Sequence, residues 1–459
     1  MSISPTALDA HVQDRERRRT LLVVVLGTTL ALVSYTLPMS VLVSIAGALR
    51  AGQDGQTWML AGMSLGLAAG LLACGVLGDD FGRRRVFLGG TALLALTSLA
   101  GAFSTGALGF ALARVGQGLG AAAMTACGLG LVGHAFTEPA ARARATGIWG
   151  AAVGGGIAVG PMVATLFAQH WRLPYLVVAV LAVALVVLGW VLLTESRAQV
   201  SHPVDVPGAL LLGGGLAALL AGLVSGRTGW TQPATVLLLA LGVIGLVGFV
   251  LVERRVAAPL LDLRLLRRPD FAAVTVAAMA TGGGIISTAS FLPIIVERGL
   301  HEGVLLASSV LLIWSGVSVP VALLARRLRM AGDVQLVLGL LVVAAGQLAL
   351  YGAGEFVALL PGLVIAGVGS GVLNAALGRQ AVASVPAGRA GMGSGANNTA
   401  RFLGAGVGVT VIAVVATRPG VGGLLVGWNQ AVLVSASFSV VGALIVLVCW
   451  RRGARSMSA

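Results

Sequence analysis

Long apolar stretches separated by short polar ones recur fourteen times along this chain. They lie near residues 21–49, 57–78, 86–104, 107–133, 143–168, 173–193, 207–225, 233–252, 271–296, 303–325, 334–353, 355–378, 396–417 and 427–449. An α-helix needs about 20 mostly apolar residues to cross a bilayer, so the pattern predicts fourteen spanning helices in an all-α polytopic membrane protein. The longest connections, around Glu195 to Val206 and Glu253 to Asp270, are too short for a soluble domain. The spacing divides the chain into a polar tail over 1–20, a six-helix bundle over 21–193, and a linker over 194–270 that holds two extra helices, 207–225 and 233–252. A second six-helix bundle over 271–450 and a tail over 451–459 complete it. Within the linker, Pro259 to Asp270 mixes leucines with arginines, which predicts an interfacial segment with leucines toward lipid and arginines toward headgroups.

Composition strengthens this picture: 57% of residues are hydrophobic and only 10% charged, against roughly 25% charged in a soluble domain. The net charge of +14 would suit a nucleic-acid ligand, but the arginines form no basic face. With the N-terminus inside, twenty-three fall in cytoplasmic segments and five, Arg50, Arg172, Arg227, Arg298 and Arg418, in external ones; Arg114 and Arg401 remain inside helices. That asymmetry is the positive-inside pattern, and it predicts cytoplasmic termini and no nucleic-acid partner. All 30 basic residues are arginine, which points to a GC-rich bacterial genome and hence a bacterial cytoplasmic membrane. The lack of lysine excludes the phosphate-cradling loop of an ATP-driven pump. The first apolar stretch is too long for a signal-peptide core. Cys74, Cys127 and Cys449 have unrelated spacings inside apolar segments, so neither a metal site nor a disulfide framework is expected, and no cofactor.

Against so apolar a background, a few polar clusters stand out. Gly75-Val-Leu-Gly-Asp79-Asp-Phe-Gly82-Arg83-Arg84-Arg85 reads as a tight cytoplasmic turn between the second and third helices. In the fourth helix, Arg114 and Gln117 share a face, and a cation there either serves a polar interior or is paired structurally. In the fifth helix, Gly156 and Gly160 permit close helix packing and Pro161 permits a kink. Arg401 lies beside Asn397 and Asn398 in the thirteenth helix and either lines a cavity or is paired structurally. A pocket for large apolar compounds would draw on pliable and aromatic side chains, and Tyr35, Met39, Met63, Met124, Phe291 and Trp314 are the candidates. His134 closes the fourth helix and is a lone terminal histidine. No acidic residue stands near the middle of any predicted helix: Glu253, Glu297 and Glu355 sit at ends. Arg326-Arg-Leu-Arg-Met-Ala-Gly332 occupies the place of a second charged turn, a faint sign of parallel repeats.

These pieces together resemble the major facilitator superfamily. Gly75, Asp79, Gly82, Arg83 and Arg84 match its loop motif, Arg114, Gln117 and Gly118 its helix-four motif, and Gly156, Gly160 and Pro161 its helix-five antiporter motif. Fourteen helices and the run Ser394 to Gly408 are similar to the 14-helix drug/proton antiporter branch. The resemblance implies a major facilitator fold and assigns roles residue by residue. Asp79 and Arg83 to Arg85 would form a conformational latch, with Asp79 approaching a helix N-terminus in the other half. Arg114 would be the coupling cation, and the Gly-Pro kink would limit leak between states. The chain departs from the branch in three places: Thr29 stands where the first helix usually carries an acid, Asp80 where the loop usually has arginine, and Ala164-Thr165 where a glycine pair is usual.

The expected activity is secondary active export of hydrophobic or amphipathic small molecules, drugs or metabolites, by alternating access. The expected partners are a small-molecule substrate, the lipid bilayer and protons as coupling ion, and a monomer is expected. Two readings compete with it. One is facilitated or substrate-charge-coupled transport, favoured by the missing membrane acid. The other is a non-transporting sensor or scaffold. No facing Ser/His pair or His/Glu metal spacing suggests an enzyme. With Arg114 and Arg401 positive and no central acid, neutral or anionic substrates are expected over dications.

Overall fold

The computed structural model describes residues 7–167, 169–197, 205–226, 229–256, 259–325, 330–385, 390–417 and 423–457, and among these it contains helices and no strand. Fourteen long helices follow one another: α1 (Ala7–Ala48), α2 (Gln53–Phe81), α3 (Arg83–Ala102), α4 (Ala107–Ala135), α5 (Pro139–Thr165), α6 (Arg172–Leu192), α7 (Val206–Ser225), α8 (Pro233–Glu253), α9 (Pro269–Gly299), α10 (Val304–Ala325), α11 (Gly332–Leu348), α12 (Phe356–Ala383), α13 (Ala390–Ala416) and α14 (Leu424–Met457). Thirteen are long and apolar enough to cross a membrane. The exception, α11, has 17 residues, or about 25 Å of helix, and a further turn continues it through Leu350 N–H to Gln347 O at 3.0 Å.

Local chemistry explains where the observed elements differ from the expected ones. The predicted polar tail over 1–20 is helical from Ala7 onward, because Ala7 to Thr20 contains neither glycine nor proline and Arg18 pairs with Asp14 one turn earlier at 2.9 Å. In the linker, Asp262 Oδ1 accepts from Arg264 N–H at 3.0 Å and starts a single 3-10 turn, Leu263–Arg267. Arg264, Arg267 and Arg268 are exposed as expected, but Leu265 is buried against Phe271, Val385 and Ala396 and does not face lipid. The second charged turn expected at Arg326 to Arg329 lies outside the described residues.

Packing follows the small residues. A Cβ on Gly66 would stand 2.9 Å from Gly118 Cα, and one on Gly118 would stand 2.9 Å from Gly66 Cα, so α2 and α4 touch backbone to backbone. Gly404 and Gly408 of α13 meet the backbone of α9 in the same way. There α9 is π-helical over Thr281–Ile286, a widened turn that fits the crossing. Contact between the first six helices and the last six runs through α2 with α13 and α5 with α10. The α7/α8 hairpin lies outside this seam, and its α7 touches both α2 and α13. Large apolar side chains such as Leu96, Leu108, Val180 and Ile244 cover the outer surface, the side a bilayer would wet.

Substituting Gly118→Leu forces α2 from α4, and a loss of about 1–3 kcal/mol of stability is expected, visible as a lower thermal midpoint in detergent. Gly133→Leu, on the same helix but with open space at its Cβ, leaves that midpoint unchanged.

Candidate functional site

Arg114 is 1% exposed and sits among α1, α2 and α4, and among the described residues no acidic side chain is bonded to it. Its Nη1 donates to Ser34 O and to Gln117 Oε1, both at 2.7 Å, its Nη2 to Tyr35 O at 2.9 Å, and its Nε to Met59 O at 3.2 Å. One of these acceptors is available for a definite reason. Pro38 lies inside α1 and has no N–H for the carbonyl four residues back, which is that of Ser34. Gln117 in turn donates from Nε2 to Ser98 Oγ at 3.1 Å, extending the network to α3. Four charge-assisted bonds at about 1.5–3 kcal/mol each offset the several kcal/mol that burying an ion costs.

Tyr35 carries this network to the second half. Its hydroxyl shares a 2.8 Å hydrogen bond with Ser64 Oγ. Its ring meets Phe402 of α13 edge-on, with centroids 5.8 Å apart. Arg401, beside Phe402, has a buried Nε without a hydrogen-bond partner among the described residues. Asn397 is buried and donates to Val274 O of α9 at 3.3 Å, whereas Asn398 donates to Ser394 O of its own helix at 3.1 Å. The structure therefore brings Arg114, Gln117, Tyr35 and the Arg401 region to one seam.

The charged turn is held by a residue that the motif does not contain. Gly82 has φ +109°, a conformation that favours glycine, and a Cβ there would lie 2.6 Å from the Glu195 carboxyl carbon. Glu195 follows α6. Its Oε1 accepts from Arg84 N–H at 3.0 Å and Ser196 N–H at 3.1 Å, and its Oε2 lies 3.6 Å from Arg85 Nε. A carboxylate thus caps the N-terminus of α3. Arg84 also donates to Trp190 O at 2.6 Å and stacks 5.0 Å over the Trp190 ring. Asp79 pairs with Arg83 inside the turn, at 2.7 Å to Nη2 and 2.9 Å to Nε. Gly75 has open space at its Cβ, so no neighbour requires glycine there.

In α5, Gly156 and Gly160 both face α1: their added Cβ atoms would lie 2.8 Å from Thr29 O and 2.9 Å from Val33 O. Gly154 faces Val319 of α10 in the other half. Pro161 lies within the helix, so α5 carries its proline close to the positions where it grips α1.

Among the pocket candidates, Phe291 lines a cavity of about 240 Å³ at the end of the bundle opposite the charged turn. Leu42, Gln53, Gln56, Thr57 and Leu60 form its first-half wall, and Ile294, Arg298, Ala413, Thr417 and Leu424 join Phe291 on the other. Arg298 is the one charged side chain among the described lining residues. Met39 and Met63 are buried. Met124 packs beside Phe87 and Gly27 within the first bundle, and Trp314 donates to Ser370 Oγ at 2.9 Å within the second. Sequence reasoning missed Glu195 and also a buried neutral network in the second half. There Gln347 Nε2 donates to Thr288 Oγ1 at 3.2 Å and Ser435 Oγ at 3.1 Å, and Ser439 Oγ donates to Gln347 Oε1 at 2.9 Å. Glutamine inside a predicted spanning helix was the available signal.

Replacing Arg114 by Gln removes the bonds to Tyr35 and Met59 and strands the Ser34 carbonyl, which Pro38 leaves without a helical donor, at about 1–3 kcal/mol for that unmet group. The thermal midpoint in detergent should fall clearly. Arg114→Lys should not restore it, since one ammonium cannot span both helices. Arg18→Gln, on the exposed start of α1, should change stability by less than about 0.5 kcal/mol.

Comparison with known proteins agrees with this geometry. The sequence profile described as Major Facilitator Superfamily matches residues 24–409. The chain is 32% identical over 412 residues to the puromycin resistance protein pur8 of Streptomyces alboniger, covering 86% of this chain and 81% of that protein. It is 30% identical over 431 residues to the multidrug resistance protein Stp of Mycobacterium tuberculosis, covering 92% of this chain and 78% of that one. Its fold is similar to that of a bacterial homolog of the human lysosomal transporter Spinster, with a TM-score of 0.68 at 15% identity over 96% of this chain and 98% of that one. With its membrane-spanning helices, its buried helix-four arginine and its charged turn, the chain is a multi-pass membrane protein that belongs to the Major Facilitator Superfamily.

Proposed function

We propose that this protein is a secondary active exporter of hydrophobic or amphipathic small molecules, working by alternating access in a bacterial cytoplasmic membrane. Its relatives carry the names of puromycin and multidrug resistance proteins and span most of its length, which supports drug or metabolite efflux. The observation that carries the reading is the Arg114–Tyr35–Phe402 junction. A buried cation whose described partners are all neutral oxygens is joined through one side chain to the other half, so sliding of the halves must alter its surroundings. In this reading the charged turn, anchored on Glu195, is the latch at the cytoplasmic end, and both termini face the cytoplasm. The monomer is the working unit.

The outer cavity supports a substrate class. Apolar walls, four neutral polar side chains and Arg298 suit neutral or anionic amphiphiles better than dications. Coupling to protons needs a titratable group, and the described acids of the long helices cluster at helix ends: Asp14 and Glu16 at the start of α1, then Asp54, Asp79, Asp80, Glu253, Asp270, Glu297 and Asp333. That distribution favours, as a second reading, coupling through the charge of the substrate itself.

The test is efflux from an efflux-deficient bacterium and from vesicles with an imposed pH gradient. Antiport predicts export that falls severalfold when the gradient is collapsed; export that ignores it supports substrate-charge coupling. Replacing Arg298 by Gln should lower export of an anionic compound about two- to fivefold, the scale of an exposed ionic contact, and leave a neutral compound unchanged. Preferred export of a dication would contradict the assigned substrate class.

A further inference from the structure

Two carboxylates with unmet oxygens are buried together at the base of the α7/α8 hairpin. Asp205 and Glu253 are each 4% exposed. Asp205 Oδ1 caps α7 by accepting from Gly208 N–H at 2.8 Å, and Glu253 Oε2 accepts from Leu261 N–H at 3.2 Å. Their other oxygens, Asp205 Oδ2 and Glu253 Oε1, are buried without a partner among the described residues. α7 and α8 run antiparallel, with Gly222 against Leu239 and Gly215 against Leu246, which brings Asp205 before the first turn of α7 opposite Glu253 at the end of α8. Among the described residues, the other charged groups on the elements packed around them are engaged elsewhere or exposed. Asp79 of α2 pairs with Arg83, and Asp80 has its own partner. Arg254 and Arg255 follow Glu253 and are exposed, as is Arg264 on the connecting segment, while Asp262 caps the 3-10 turn and Arg268 pairs with Asp270. On α13 the nearest cation in the helix is Arg401.

Leaving both carboxylates ionised in such a place costs several kcal/mol per charge, and buried orphan acceptors call for an occupant. Helix polarity decides which group takes it. Asp205 sits at the N-terminus of α7, where the backbone dipoles favour a negative charge, whereas Glu253 is the last residue of α8, where they oppose one. We propose that Asp205 and Glu253 form a proton-binding site in which Glu253 carries the proton and Asp205 the charge. The site has a lever on both halves, since Gly213 of α7 lies against Ala69 of α2 and Leu220 of α7 against Gly406 of α13. Loss of the proton places a second negative charge under the hairpin and draws water into its base, loosening α7 from both halves. The pH at that end of the bundle therefore sets how firmly the hairpin is seated. This site does not depend on the exporter reading, and it shares no residue with the Arg114 network or the charged turn.

The test uses the purified full-length protein in detergent, where no transport is needed. Infrared difference spectra between acid and alkaline samples should show the carbonyl band of a buried protonated carboxyl in the wild type. The band should be lost in Glu253→Gln and kept in Asp205→Asn. Because glutamine has the shape of the protonated side chain, Glu253→Gln should fold normally. It should also hold its thermal midpoint as the pH is raised, while the wild type falls. An unchanged band in Glu253→Gln would overturn the assignment. So would a wild-type band that appears only after sodium and calcium are removed, since the occupant would then be a metal cation.

Discussion

The centre of the first bundle is arranged around Arg114, a buried cation with no counter-charge bonded to it among the described residues. Arg114 satisfies its donors on the carbonyls of Ser34, Tyr35 and Met59 and on Gln117. Those acceptors converge only because α2 and α4 meet at Gly66 and Gly118 and because Pro38 leaves the Ser34 carbonyl open. A guanidinium held by neutral oxygens keeps its full charge in a low-dielectric interior, and its field reaches the seam through Tyr35 and Phe402. An acid beside it would have cancelled that field. The missing acid of the first helix, Thr29 in this chain, lies where Gly156 of α5 packs, so the position has become part of a helix contact.

The charged turn depends on a different balance. Three arginines crowd the start of α3, the end of a helix that repels cations. Glu195 supplies the negative charge that makes the arrangement tolerable, accepting from the backbone of Arg84 and pairing with Arg85. Gly82 is fixed by the same contact, because any side chain there would strike the Glu195 carboxyl. Asp79 meanwhile answers Arg83 within the turn. The end of α2, the start of α3 and the segment after α6 are thus tied together by ion pairs at the turn, while the opposite end of the bundle holds a cavity between the halves.

Much of this was legible in the residue order. Spanning helices announce themselves by length and apolarity alone, and each of the fourteen expected segments falls on one of the fourteen helices among the described residues, although the first helix begins at Ala7 and the last runs on to Met457. A buried arginine is conspicuous in a chain with so few charges, so Arg114 and Arg401 stood out at once. The partners did not. Glu195 lies 111 residues from Arg84 and looks like any acid at a helix end until the fold folds it back under α3. Asp205 and Glu253 likewise read as ordinary boundary residues, since nothing in the sequence says that the ends of two helices will be buried together. Periodicity cannot show a π-helical turn either, so the network of Gln347, Thr288 and Ser435 around α9 was visible only as isolated polar residues. Met124 and Trp314 show the opposite error: aromatic or pliable residues chosen for a pocket serve as packing within one bundle.

Alternating access requires the two halves to move against each other about the Arg114 seam. The most direct measurement is the distance between spin labels at Gln53→Cys and Leu424→Cys, on opposite walls of the outer cavity, in a background without Cys74, Cys127 and Cys449. Alternating access predicts two distance populations whose ratio shifts when an exported compound is added. A single distance that stays fixed with and without the compound would contradict it.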